Sequence, residues 1–259
     1  MSTHEPPSPG MAAVIGFCAL IGTITVVATL ASVRPSAKAT QEYGRRLLAQ
    51  TTEYLGPDVT DAGMRFTRSR LACASCHVRA GAEPGELSLV AATAAGHEKT
   101  VEDRINECMT RSMNGRPLPK DGAEMVAMVS WLRFLADEEA ATSPSRRKAH
   151  DPPTFSAPER AANPEAGERL FEKRCADCHG KDGAGLPASR NLVDGYLFPP
   201  LWGSDSFNDG ASMNRALTVA SFIKAKMPLG RPDLNDEQAF DVAAFIDSKP
   251  RPHMTNSPL

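Results

Sequence analysis

Two pentapeptides carry cysteine and histidine at fixed spacing: Cys73-Ala74-Ser75-Cys76-His77 and Cys175-Ala176-Asp177-Cys178-His179. Each reads C-x-x-C-H, the attachment pattern for a c-type haem. Two thiols at this spacing add to the two vinyl groups on one edge of the macrocycle. The adjoining histidine then reaches the iron. A zinc site built from both cysteine pairs is the rival, but zinc leaves unexplained why each pair is followed directly by His. A redox dithiol has no need of that His either. The sequence therefore predicts two covalently bound c-type haems, on Cys73, Cys76, His77 and on Cys175, Cys178, His179.

Each iron needs a second axial partner or keeps an open position. In the second half, Lys226-Met227-Pro228 precedes the last predicted helix. Met227 is a thioether donor and Lys226 an amine donor, and the choice between them stays open. In the first half no Met-Pro follows His77. Met109, Met113, Met125 and Met128 fall in helical stripes and read as core. His97, ahead of a helix, reads as a surface residue. Cys108 remains, because Cys18 sits in a separate apolar stretch. An exported thiol persists when it is paired, buried or metal-bound. Cys108 is thus expected opposite His77. A thiolate donor lowers a haem's potential and suits sulfur chemistry better than simple relay. At about 100° per residue, Arg104 and Arg111 fall on the face of Cys108. Guanidinium groups there would hold oxyanions and steady a thiolate. Ser112, Asn114 and Arg116 offer further hydrogen bonds.

The elements that must position these residues are helical. Tyr43, Leu47, Leu48 and Leu55 make one stripe between Thr40 and Gly56. Val101, Ile105, Cys108 and Met109 make a second, ended by Asn114-Gly115. Met125, Met128, Val129, Leu132 and Leu135 make a third, with Asp121 and Glu124 as a capping box. Asn163 caps and Pro164 opens the helix before the second pentapeptide. A Gly/Pro-rich loop runs from Gly180 to about Gly210. Two helices follow, the last capped by Asn235 with Gln238. No strand pattern stands out. The recurrence of helix, cysteine motif and helices suggests an internal duplication.

The chain has 259 residues, a net charge of −2, 6% aromatics, 19 Gly and 21 Pro. No basic field points to nucleic acid. The apolar content is thin for two ordinary cores, and haem discs would fill them. Residues 142–163 are rich in Pro, Ser and charge and read as a linker. The expected organisation is all-α. A signal peptide or membrane anchor (1–39) precedes two class I cytochrome c-like domains (40–141 and 164–259). Met11–Val33 is an uncharged apolar run long enough to span a bilayer, and Ala37-Lys38-Ala39 offers a cleavage site. Haem attachment of this kind places the chain in the periplasm, soluble or anchored through 11–33.

The stretch "EDRINECMTRSMNGRPLP" (102–119) with "MVSWLRFLA" (128–136) resembles the N-terminal domain of the dihaem thiosulfate dehydrogenases. "GYLFPPLWGSDSFNDGASMNRALTVASFIKAKMP" (195–228) and "DVAAFIDSKPRP" (241–252) are similar to their C-terminal domain. The likeness spans about Tyr43 to Pro252. It implies oxidation of two thiosulfates to tetrathionate, a reaction some members run in reverse. It implies that His77 and Cys108 bind the active-site haem, and that His179 with Lys226 or Met227 binds the electron-transfer haem. A small periplasmic cytochrome c would accept the electrons. The rival functions are transfer of thiosulfate to a carrier protein's cysteine, a dihaem carrier without catalysis, and a dihaem subunit of a membrane complex.

Overall fold

A helix can cross another backbone closely only where a side chain is missing, and two glycines mark such crossings. The computed structural model describes residues 36–77, 99–141, 154–190 and 192–254. Helix α1 (Ala37–Ala49) lies across α4 (Ala123–Ala140). A Cβ on Gly44 would sit 2.0 Å from the Ala127 carbonyl oxygen of α4. The second half repeats the device. Helix α5 (Pro164–Arg174) lies across α8 (Asp236–Asp247), and a Cβ on Gly167 would sit 2.0 Å from the Asp241 carbonyl oxygen. First helix on last helix, with glycine at the crossing, occurs in both halves.

Around these crossings, in chain order, stand α2 (Thr51–Leu55), α3 (Val101–Glu107), α6 (Ala176–His179) and α7 (Ala216–Lys226). Short 3₁₀ turns occupy Ala62–Met64, Cys73–Ser75 and Ser212–Asn214. The helix expected over 40–56 is broken at Gln50, whose backbone leaves the helical region. Asn163 and Asn235 cap as expected, the latter in a box with Gln238. The box expected from Asp121 does not form at the helix start, because α4 begins at Ala123. Glu124 instead accepts a hydrogen bond from the Tyr43 hydroxyl at 3.2 Å.

The all-α expectation needs one amendment. Within the Gly/Pro-rich loop, β1 (Leu186–Pro187) and β2 (Tyr196–Phe198) pair antiparallel. Two residues facing three are too short to show an alternating pattern, so the sequence carries no signal for them.

The described residues belong to one compact unit with two hydrophobic cores. The first is built on Leu47, Met109, Met125 and Met128, the second on Phe171, Val242 and Phe245. Met213 packs against both. Phe207 and Ala211, expected in the C-terminal domain, are buried in the first core. The end of the expected linker is not loose. Arg160 makes a two-pronged ion pair with Asp241 at 2.8 and 2.9 Å, and the Asn163 N–H donates to the same carboxylate at 2.8 Å. Residues 142–153, the apolar run 11–33 with Cys18, and His97 lie outside the described residues. Among the described residues no helix is long and apolar enough to cross a membrane.

Candidate haem sites and the Cys108 turn

The break at Gln50 has a local purpose. Thr51, fully buried, accepts a hydrogen bond from the Cys73 N–H at 3.0 Å, and its hydroxyl lies 3.5 Å from the Cys73 sulfur. The Ser75 hydroxyl accepts from the Ala72 N–H at 3.1 Å. These bonds fix the first pentapeptide against α1 and α2. Cys73, Cys76, His77 and Cys108 all line one cavity of about 660 Å³, with Ile105, Met109, Met113 and Met128 among its apolar walls. That size lies within the range of cofactor pockets. Met109, Met113, Met125 and Met128 are buried, as expected for core.

Cys108 stands at a change of helix type. Helix α3 opens with a capping box of Thr100 and Asp103, and the chain then widens into a π turn over Cys108–Ser112. The Met113 N–H donates to the Cys108 carbonyl at 2.9 Å, a five-residue step. Such turns recur at functional sites. This changes the expected face. A wider coil turns through less than 100° per residue, so Arg111 falls behind the position an α-helix would give it. Arg111 is exposed, and neither it nor Arg104 lines either cavity. Arg104 belongs to the regular α3 turn before Cys108. Its Nε is buried without a hydrogen-bond partner, which leaves a cationic donor for an anionic group. Arg116 is committed elsewhere: it stacks over Phe66 at 3.7 Å and donates to the Gly63 and Arg65 carbonyls at 2.6 and 3.2 Å.

Burial pushes the Cys108 thiol up to about 12, with the Cys73, Cys76 and Glu107 charges adding to it. The Ser112 hydroxyl, in the same cavity, hydrogen-bonds the sulfur and works the other way. A thiol so placed becomes a thiolate only beside a strong positive charge. Burial likewise depresses the His77 imidazole, keeping it neutral and able to donate a lone pair.

The second pentapeptide lines a cavity of about 410 Å³, shared with Pro199, Phe222, Leu229 and Met227. His179 Nδ1 lies 2.9 Å from the Pro199 carbonyl oxygen. A carbonyl can only accept, so Nδ1 carries the proton and Nε2 keeps its lone pair. Burial lowers the basicity of this ring, and the Pro199 bond offsets part of that. Met227 lines this cavity, whereas Lys226 lines the first. Leu71, Ala72, Cys76, Phe207, Met213 and Phe222 line both, so the two cavities share a wall. In each cavity a thiol pair and a neutral imidazole stand in apolar surroundings, and these residues fit a covalently held haem. Thr51, Pro199 and Asn208 (described below) were not singled out from sequence. Thr51 interrupts an apolar stripe, which is a readable if weak sign. The other two have no local signal.

Apolar cavities walled by C-x-x-C-H peptides, in a helix-rich chain that crosses first helix on last, define a cytochrome of the c type. Among curated proteins the chain is 40% identical over 223 residues to the thiosulfate dehydrogenase of Allochromatium vinosum, covering 81% of this chain and 77% of that one. It belongs to the thiosulfate dehydrogenase family. The enzyme of the same name from Psychrobacter arcticus is 35% identical, over 73% of this chain and 58% of that one. The solved thiosulfate dehydrogenase (TsdBA) of Marichromatium purpuratum, in its "as isolated" form, superposes with a TM-score of 0.68 at 28% identity. It matches 84% of this chain, which spans 47% of that longer one. Residues 162–246 match the family model described as cytochrome c oxidase, cbb3-type, subunit III.

Proposed function

We propose that the protein oxidises two thiosulfates to tetrathionate in the periplasm, with one haem in each cavity, and delivers electrons singly to a small cytochrome c. The observation that carries this reading is the meeting of Cys108 with Cys73, Cys76 and His77 in one apolar cavity; Arg104, one helical turn before Cys108, has a buried Nε without a hydrogen-bond partner. Cys73, Cys76, His77 and Cys108 would hold the first haem. Cys175, Cys178 and His179 would hold the second with Met227. When bound, each haem supplies a place for one electron.

Thiosulfate is a dianion with a nucleophilic outer sulfur, and two such anions repel. Arg104 would hold a sulfonate end and offset its charge. The Cys108 thiolate, supported by Ser112, forms a sulfur–sulfur bond to the outer sulfur of the first thiosulfate, and two electrons leave. The product is a cysteine S-thiosulfonate carrying a single negative charge. The second thiosulfate attacks the sulfur attached to that cysteine. One sulfur–sulfur bond forms, the bond to Cys108 breaks, and tetrathionate departs with Cys108 restored as thiolate. Each sulfur–sulfur exchange can run backward through the same bonds, so the same residues serve tetrathionate reduction.

The test is an anaerobic titration of the purified dihaem protein with thiosulfate and with tetrathionate, followed by optical and electron paramagnetic resonance spectra. Two haems, a low-spin thiolate signal and tetrathionate formed without any carrier protein are expected. In Cys108→Ala the thiolate signal and turnover should vanish while both haems stay attached. Undiminished tetrathionate formation by that variant would remove the thiol from the reaction.

A further inference from the structure

We propose that Asn208, contributed by the second half of the chain, is a positioning residue for the Cys108 turn of the first half. This rests on the reading of Cys108 as a donor to the first haem, because only then does the exact seat of the turn govern the chemistry.

The last carbonyls of a helix have no partner within it. In the π turn, those of Thr110 and Arg111 are met from outside. Asn208 Nδ2 donates to the Thr110 carbonyl at 3.0 Å and to Asn114 Oδ1 at 3.3 Å. The Asn208 backbone N–H donates to the Arg111 carbonyl at 3.3 Å. The Gly210 N–H donates to Asn208 Oδ1 at 3.0 Å, which fixes the end of the amide that carries nitrogen. Asn208 is wholly buried. With both amide hydrogens and the oxygen engaged, the side chain has a single orientation. From the other side, Ser69 holds the Met113 carbonyl through its N–H at 3.3 Å and its hydroxyl at 3.1 Å. The turn is therefore gripped twice, once by its own half and once by the half that carries the second cavity. Phe207, next to Asn208, lines both cavities.

A plain fastening between halves is the competing role, and Asp205 fills it. Its carboxylate accepts from the Arg70 N–H at 2.9 Å and from the Tyr196 hydroxyl at 2.8 Å. Neither partner belongs to the Cys108 turn. Asn208 differs in that all its partners beyond its own loop lie at the turn or in the residue that ends it.

The experiment compares the dihaem holoprotein with Asn208→Asp, Asn208→Leu and Asp205→Asn, measuring haem content, the first haem's paramagnetic resonance, melting temperature and thiosulfate kinetics. Both Asn208 variants are expected to keep two haems, to shift the g-values of the thiolate-bound haem, and to lose kcat by roughly tenfold to a hundredfold with KM little changed. Asp205→Asn should lower the melting temperature and leave the g-values alone. If Asn208→Leu fails to take up haem, Asn208→Asp, which preserves volume, decides the matter. Wild-type g-values and kcat in Asn208→Asp would overturn the proposal, as would an equal shift in Asp205→Asn. A wild-type protein without any thiolate signal would overturn the reading of Cys108 and this proposal together, so the two failures are distinguishable.

Discussion

Lys226 and Met227 are consecutive, yet Lys226 lines the cavity of Cys73, Cys76 and His77, and Met227 lines that of Cys175, Cys178 and His179. Helix α7 ends between them: Lys226 is its last residue and Met227 has extended backbone. That change of direction sends the two side chains to opposite sides of the shared wall. Methionine opposite histidine raises a haem's potential. Met227→Leu is expected to lower the second haem's potential and abolish the far-red methionine–iron band of its ferric spectrum. Lys226→Ala should leave that band in place. Redox titration with optical readout checks both.

Arg104 and Arg111, expected on one face with Cys108, differ in burial: the Arg104 Nε is buried without a hydrogen-bond partner and Arg111 is exposed. Removing a charge-assisted hydrogen bond costs about 1.5–3 kcal/mol, which is roughly a tenfold to hundredfold loss of binding. Arg104→Leu should raise the KM for thiosulfate by about that factor. Arg111→Leu, at an exposed position, should change it little. Steady-state kinetics at fixed ionic strength decides, and equal effects from both would return Arg111 to the site.

The chemistry was legible because it lies in contiguous pentapeptides whose spacing is dictated by the macrocycle. The helices were legible because their apolar residues recur every three or four positions. What stayed hidden depends on contacts far apart in sequence or on subtle backbone changes. The π turn at Cys108 leaves the residue pattern of an α-helix intact, so spacing alone does not reveal that Arg111 is turned toward solvent. The grip of Asn208 on Thr110 spans 98 positions, and nothing near Asn208 announces it. Phe207 belongs to the second half by position, yet it is buried in the first core. The cap at Asp121 has the right residues locally, but α4 begins only at Ala123.

The glycine crossings give a test of the repeated architecture. Alanine at Gly44 or Gly167 would place a methyl 2.0 Å from a carbonyl oxygen of the facing helix, so the helices must part. Overpacking of this kind costs about 1–3 kcal/mol, set against the roughly 1 kcal/mol that alanine gains over glycine within a helix. Each variant should unfold at lower temperature. Gly44→Ala should loosen the first haem's spectrum and Gly167→Ala the second's. Calorimetry with optical monitoring of each haem would reveal any crossover.

Asp241 supplies a stability that depends on pH. Burial pushes its carboxyl up, but the Arg160 guanidinium and the Asn163 N–H outweigh burial and hold it below the ordinary carboxylate range. The proton therefore binds the unfolded chain more readily than the folded one. Asp241 stabilises the fold fully above the unfolded value, about 3.9, and that contribution fades as pH falls through the lower folded value. Arg160 is 38% exposed, so solvent screens the pair. Asp241→Asn is expected to cost about 2 kcal/mol at neutral pH. The gap in melting temperature between the variant and the wild type should be constant from pH 7 to about pH 5 and close below about pH 4. A gap that persisted unchanged into acid would mean that the carboxylate's charge contributes nothing, and that packing alone fastens residues 154–163 to α8.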